Sequence, residues 1–269
     1  GYVSPRFGAN ARLSPTLRLS LTAGTFHQSP RFLDRAADPS NFALQNEKTN
    51  HVSIGLGRQL GDNWDVLFEA YYQQLRDLVT PRNAVTGLAS NDGEGESYGL
   101  DVVVNRRFAD KWSANLVYSY NQATLDDNDG EAEYDAPFNY ENLLSIGAKW
   151  ELTERWMVGF RWKYATGRPR DDFIIYDDVL AGIGGPLRFS QENITNGTLR
   201  WDDFNTLNVR ADYRRPLGPV DFIAFLDVLN VLGSSASDER EFNTATGELK
   251  LDDEGPTPLI GIRFEKTWQ

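Results

Sequence analysis

The sequence predicts an all-β chain built as an antiparallel, up-and-down transmembrane β-barrel, and three observations carry that prediction. Apolar and polar residues alternate with a period of two through eleven segments, the period of a strand with one oily and one wet face. The connections between these segments alternate between very short and long. Tryptophans collect beside the short connections, as aromatic girdles do at a membrane interface.

The strands are expected at about 4–13, 17–26, 48–60, 64–80, 96–108, 112–124, 140–152, 156–166, 203–214, 220–231 and 257–268. Ser14-Pro15-Thr16, Gly61-Asp62-Asn63, Ala109-Asp110-Lys111, Thr153-Glu154-Arg155 and the tight 215–219 segment form the short connections. Pro, Gly, Asn and Asp are the residues such turns use. The long connections are 27–47, 81–95, 125–139, 167–202 and 232–256, and no long helical pattern covers any strand.

The clearest strand follows Arg155. There Trp156, Val158, Phe160, Trp162 and Tyr164 alternate with Met157, Gly159, Arg161 and Lys163. The same division runs through Leu17, Leu19, Leu21 and Ala23; through Trp64, Val66, Phe68, Ala70 and Tyr72; through Trp112, Ala114, Leu116, Tyr118 and Tyr120; and through Ile260, Ile262 and Phe264. An arginine facing lipid at the bilayer midplane costs roughly 2–4 kcal/mol. Arg161 and Arg210, each near mid-strand, must therefore point to the lumen. A soluble barrel or sandwich is the competing architecture, but this chain offers no central helix to fill one and no helices to cover an open sheet. Trp64, Trp112 and Trp156 each open a strand directly after a short turn, Trp150 lies just before one, and Trp268 is near the chain end. A soluble fold gives no reason for that placement.

Composition narrows the function. The chain has 269 residues, 40% of them hydrophobic, and a mean hydropathy of −0.49. That excludes a helical membrane protein but not a barrel, whose strands are half polar. There is no cysteine, so disulfides and thiolate metal sites are impossible. Two histidines and one methionine leave little for a metal site or a general base. The net charge of −12 argues against nucleic acid, which needs clustered Lys and Arg. The long loops hold 24 of the 39 acidic residues and 9 of the 27 basic ones, so the negative charge sits at one end. No carboxylate pair, Ser/His/Asp set or Gly-rich phosphate loop stands out; the chain is expected not to be an enzyme and to need no cofactor. It opens at Gly1 without an initiator Met or signal peptide, so a longer polypeptide is expected. The odd strand count points the same way, because antiparallel closure needs an even number and hydrocarbon tolerates no open edge.

Several short motifs then line up in order. Ser4-Pro5-Arg6-Phe7-Gly8, Thr22-Ala23-Gly24-Thr25-Phe26 and Gln28-Ser29-Pro30 are followed by Asn46-Glu47-Lys48-Thr49 leading into a strand. Ser97-Tyr98-Gly99-Leu100-Asp101, Thr166-Gly167-Arg168-Pro169 and Leu226-Asp227-Val228-Leu229-Asn230 come next, and the chain ends near Trp268, followed by Gln269. Together these resemble the C-terminal half of the barrel of a TonB-dependent outer-membrane receptor. The resemblance spans nearly the whole chain, with Asp101 where the family commonly has Glu and Gln269 after the terminal aromatic. It implies a barrel of about 22 strands, of which residues 1–269 supply the last eleven as a partial barrel domain. It places the chain in the bacterial outer membrane, with long loops extracellular and short turns periplasmic. The partners it implies are outer-membrane lipid and lipopolysaccharide, the N-terminal half of the barrel, a plug domain and, through that plug, TonB. Neither the plug nor a TonB box falls in this sequence.

Candidate sites follow from position. His27, Gln28 and Arg31 leave the second strand at its extracellular exit, and Arg170, Phe173 and Tyr176 occupy the longest loop; each could contact a ligand or anchor its own loop. Asp65, Glu69, Asp101, Arg161, Lys163, Arg210, Asp212, Arg263 and Glu265 are expected to face the lumen, where they could hold a plug, line a water-filled pore or pair across strands. The acidic loop Leu125–Asp135 is not expected to be an EF-hand, because Leu125 and Ala136 stand where that motif needs ligands. A metal site is not expected. The function expected is energy-coupled uptake of a scarce ligand such as a siderophore, cobalamin or an oligosaccharide. A passive porin or structural barrel subunit is the alternative.

Overall fold

The computed structural model of the chain describes residues 2–80, 87–170, 173–178, 188–193, 199–234, 240–246, 248–251 and 255–266. Its strands are β1 (Arg6–Ser14), β2 (Leu17–Gln28), β3 (Glu47–Leu60), β4 (Trp64–Leu78), β5 (Gly93–Ala109), β6 (Trp112–Asp126), β7 (Tyr134–Asp135), β8 (Asn142–Glu151), β9 (Trp156–Ala165), β10 (Pro169–Arg170), β11 (Phe173–Asp178), β12 (Arg188–Asn193), β13 (Leu199–Arg200), β14 (Phe204–Leu217), β15 (Val220–Leu229), β16 (Arg240–Asn243), β17 (Glu248–Leu251) and β18 (Thr257–Lys266). Hydrogen-bonded neighbours follow the order β1-β2-β3-β4-β5-β6-β8-β9-β14-β15-β18, with β7 added to β6. The eleven strands of that path are the eleven read from the alternation, shifted by at most three residues at an end. The long loops add what alternation did not predict: a helix α1 (Phe32–Ala37), a 3₁₀ turn at Pro39–Ala43, and three small pairs, β10 with β13, β11 with β12, and β16 with β17. Trp268 and Gln269 lie outside the described residues.

The turns are built as the short sequences require. Asp110 and Lys111 both have positive φ, 49° and 69°, the conformation that matches the twist of a two-residue hairpin. Thr153 Oγ1 accepts from the backbone N–H groups of Arg155 and Trp156 at 3.2 and 3.1 Å, so a side chain closes the turn before β9.

Two compact units are resolved. The first is Gly1–Gln59, Leu67–Val102 and Ser119–Glu141; the second is Leu60–Val66, Val103–Tyr118 and Asn142–Gln269. In the first, register stacks Phe7 beside Ala23 and Val52, and Ala9 beside Leu21 and Ile54, on one face. Gly8, Thr22 and Ser53 lie on the other, where the Thr22 and Ser53 hydroxyls meet at 2.6 Å. In the second, one face carries the row Ala148, Phe160, Val209, Val228, Pro258 and the row Trp150, Val158, Ala211, Leu226, Ile260. Its opposite face carries Lys149, Gly159, Arg210, Asp227 and Leu259.

Among the described residues the buried hydrophobic side chains are Ala165 and Ile223, while Ile54, Phe68, Phe160, Leu226, Ile260 and Ile262 are exposed. A soluble sandwich would bury such rows against a second layer. Here the apolar face is uncovered, an arrangement that suits hydrocarbon. β9 carries Trp156 and Tyr164 eight residues apart on this face, and the same interval in sequence separates Trp64 from Tyr72 on β4 and Trp112 from Tyr120 on β6. At the loop end several ring polar atoms are tied down. Tyr72 donates to Glu96 at 3.1 Å, Tyr118 to Asn142 at 2.8 Å, Trp162 Nε1 to Asn205 at 2.6 Å and Tyr164 to Asp203 at 2.6 Å.

Candidate functional site

In the first unit three loops are fastened together by asparagines. Asn41, 1% exposed, donates through Nδ2 to the carbonyls of Asp34 (2.7 Å) and Gly87 (2.9 Å) and accepts from the Ala89 N–H (3.1 Å). Asn91 accepts from the Gln45 N–H (2.7 Å) and donates to the carbonyls of Gln45 (3.2 Å) and Asp77 (2.7 Å). Asn128 donates to the Asp92 carbonyl at 2.6 Å. An amide side chain carries donors and an acceptor at one tip, so it can join two backbones that no ladder joins. Gly87 has φ +72°, and a Cβ there would sit 3.1 Å from the Ala37 carbonyl oxygen; only glycine lets the two loops approach this closely.

These loops and the strand ends beneath them surround a cavity of about 840 Å³. Arg31, Asp34, Glu47, Asp127, Tyr134 and Phe138 supply its polar and aromatic groups, and Leu75, Leu78, Val79 and Leu125 its apolar part. Arg31 binds Asp34 through two hydrogen bonds, Nε to Oδ2 at 2.8 Å and Nη2 to Oδ1 at 3.2 Å. Asp34 is buried while the arginine side chain is 79% exposed, so the guanidinium is held by one edge and open at the other. This pairing, reinforced by its charge, raises the Arg31 pKa. Glu47 accepts from the Val79 N–H at 3.1 Å. Burial raises the pKa of Asp127; the Tyr134 hydroxyl, 3.1 Å from its Oδ2, opposes that rise, and the charges of Asp129 and Asp126 add to it. Other carboxylates of the acidic loop cap their own turns: Asp126 accepts from the Asn128 N–H at 2.7 Å and Asp129 from the Glu131 N–H at 2.9 Å. Among the described residues no group of three His, Asp or Glu could hold a metal ion.

The structure separates the three exit residues. Arg31 lines the cavity. Gln28 closes β2 opposite Glu47. His27 pairs with Lys48 on the alternate face, where its ring lies tilted against Tyr2 at 5.0 Å and its Nδ1 bonds the Ser4 hydroxyl at 3.0 Å. The period of two that places Gln28 on the polar face sends its neighbour away. In the second unit the Arg170 guanidinium lies 5.3 Å from the Trp201 ring centre. Phe173 and Tyr176 fall on β11, and their side chains lie outside the described residues.

Within each unit the charged strand residues expected to face the lumen lie opposite the apolar rows. In the first unit Glu69 lies by Gly55, and Asp101 follows Gly99, which leaves room for the Tyr71 hydroxyl to donate to Asn121 at 2.7 Å. Ser97 donates to the same acceptor at 3.1 Å, and Gln73 bonds His51 Nδ1 at 3.1 Å. In the second unit Asp65 pairs with Arg107 at 3.2 Å and Arg263 with Glu265 at 2.8 Å. Arg210 is a hub, bonded to Asp212 at 2.8 Å and Asp227 at 3.5 Å, with its guanidinium 4.1 Å from the Phe225 ring centre. Arg161 lines a second cavity of about 640 Å³ beside Arg210, Lys149 and Asn208. Lys163 follows one step along the same face, between Ser145 and Thr206. Sequence reasoning missed the asparagine ties and the cavity, because both depend on loops distant in sequence.

Comparisons with known proteins complete the description. The family model "TonB dependent receptor-like, beta-barrel" matches residues 1–231. A search of curated proteins finds no match. The ferric citrate transporter FecA is similar in structure with a TM-score of 0.71 at 12% identity, over 97% of this chain and 38% of that one. The ferric-catecholate import receptor Fiu from E. coli K12 gives 0.65 at 16% identity, over 97% of this chain and 34% of that one. The FrpB iron transporter from Neisseria meningitidis gives 0.63 at 15% identity, over 96% and 38%. The chain thus spans about a third of the length of the solved proteins it matches.

Proposed function

This chain belongs to the TonB-dependent receptor-like β-barrel family, and from that premise we propose that it forms part of the wall and mouth of an outer-membrane receptor for energy-coupled uptake of a scarce ligand. The observation that carries the reading is the cavity of about 840 Å³ beneath three cross-tied loops. It combines an open guanidinium, carboxylates and aromatic rings over an apolar floor, the composition of a small-molecule site. The solved proteins similar in fold include a ferric citrate transporter and a ferric-catecholate import receptor, which supports a metal chelate as the ligand class; cobalamin and an oligosaccharide are the other classes to be tested. In this reading the chain is the C-terminal half of a barrel of about 22 strands. The long loops are extracellular, lipopolysaccharide surrounds them, and a plug domain from another segment contacts TonB. The lumen charges Asp65, Glu69, Asp101, Arg161, Lys163, Arg210, Asp212, Arg263 and Glu265 face that plug.

Titration of the full-length receptor with ferric chelates, cobalamin and oligosaccharides tests the reading. One class should bind tightly and more weakly to an Arg31→Ala/Phe138→Ala variant, and its uptake should stop when the inner-membrane proton gradient is collapsed. Uptake that survives collapse, with no saturable binding, would favour a passive pore, a role for which solvated cations such as Arg161 and Lys163 on the polar face would also serve.

A further inference from the structure

On the apolar face of the second unit, charge is sorted by sign at the short-turn end. The charged strand residues there are Arg106, Arg215 and Lys266, while the nearby carboxylates Asp65, Glu151, Asp221 and Glu265 lie on the polar face. Arg106 is sealed within its own turn. Arg215 is exposed and has no ion-pair partner among the described residues. Register sets it beside Phe222 and, across β15, Phe264, and places Lys266 one rung further out beside Val220. Phe222 and Phe264 are packed at 5.6 Å, and Trp156 and Tyr213, one rung inward, at 5.1 Å. The loop end of the same face is opposite in character: Tyr164 and Trp162 donate there to Asp203 and Asn205.

We propose that this rim, with Arg215 level with the paired rings Phe222–Phe264, Lys266 one rung outside them and Trp156–Tyr213 one rung inside, binds the phosphate of an anionic glycerophospholipid. The inference rests on the reading that the apolar face meets lipid. An aromatic girdle marks the depth at which acyl chains give way to headgroups, and the two cations stand at and beyond that depth. A guanidinium binds phosphate oxygens in pairs through a planar fork; the Asp110 carboxylate is already bonded to Arg106, and among the described residues none pairs with Arg215. A zwitterionic lipid brings its own cation beside the phosphate and gains less. The sorting also makes the two ends of this face unequal partners: anionic lipid is drawn to the short-turn rim.

The test uses the full-length receptor purified in mild detergent, with equal amounts of phosphatidylglycerol and phosphatidylcholine, and native mass spectrometry to count retained lipids. Each interfacial cation favours the anionic lipid by about fivefold, so wild type should prefer it by roughly 30-fold. Arg215→Gln or Lys266→Gln alone should lose about fivefold, and the double variant nearly all of the preference. Heat-modifiable migration on gels shows that each variant keeps its fold. A folded double variant with the wild-type preference would overturn the proposal. Brominated phosphatidylcholine in nanodiscs separates the underlying reading: if it fails to quench the receptor's tryptophans, the apolar face does not meet lipid and the proposal falls with that reading.

Discussion

The guanidinium of Arg106 lies 3.6 Å from the centre of the Trp112 ring and 6.0 Å from that of Trp64. Its Nη1 donates to the carbonyls of Ala109 and Trp112 at 2.7 and 2.5 Å, and its Nη2 to Asp110 at 3.0 Å. With 6% of its side chain exposed, this cation sits on the apolar face by spending its donors on the adjacent turn. A charge among apolar groups persists where it is paired and hydrogen-bonded.

Arg106→Leu removes those bonds and leaves two carbonyls without their donor. Stability should fall by roughly 2–3 kcal/mol, read as a lower urea midpoint in detergent micelles. Arg107→Ala is the contrast. Its pair with Asp65 is about half exposed on both sides, so the change should stay within about 1 kcal/mol.

Asn41→Ala removes three hydrogen bonds from a fully buried amide. Hydrogen exchange should quicken in both 32–46 and 87–92, because one side chain fastens both. A change confined to 32–46 would show that the loops are held by something else. The effect should be about 2 kcal/mol of local stability.

Asp127 gives the mouth a pH dependence with a definite sign. Burial raises its pKa in the folded loop, so between the unfolded and folded values the folded loop holds more protons than the unfolded one. Its stability therefore falls as pH rises through that window and is greatest below the ordinary aspartate value. Protection factors of residues 126–139, which divide out the intrinsic pH dependence of exchange, should be higher in mild acid than near neutral pH, and Asp127→Asn should flatten that difference.

Gly167 has no room for a side chain, since a Cβ would run into the Trp201 carbonyl. Its N–H donates to Asp203 at 3.0 Å and its carbonyl accepts from Arg200 at 3.1 Å. Gly167→Ala should disturb the Arg170–Trp201 contact without unfolding the wall, seen as a changed tryptophan emission with unchanged heat-modifiable migration.

The wall was legible in the sequence because its grammar is local. Alternation placed Arg161, Arg210 and Arg263 on the polar face, and the short turns fixed where each strand stopped. The same rule, applied past Phe26, would have sent His27 to the apolar side; grouping it with Gln28 and Arg31 by sequence proximity hid that. Asn41, Asn91 and Asn128 carried no signal at all, because an asparagine in a loop reads as turn chemistry until its partner, 46 residues away for Asn41 and Gly87, is known. Arg106 was equally hidden. Its position on an apolar row looks like an error in the pattern until Trp64, Trp112 and the turn carbonyls surround it.

The eight-residue interval between the paired aromatics of β4, β6 and β9 acts as a ruler. At about 3.3 Å per residue it spans about 26 Å along a strand, and with a strand tilt of about 40° roughly 20 Å of depth. A typical hydrocarbon layer is about 30 Å thick. Where the proposed contact with lipid holds, the bilayer beside these strands thins to meet that span, at a fraction of a kcal/mol per Å, and a thinner membrane suits them best.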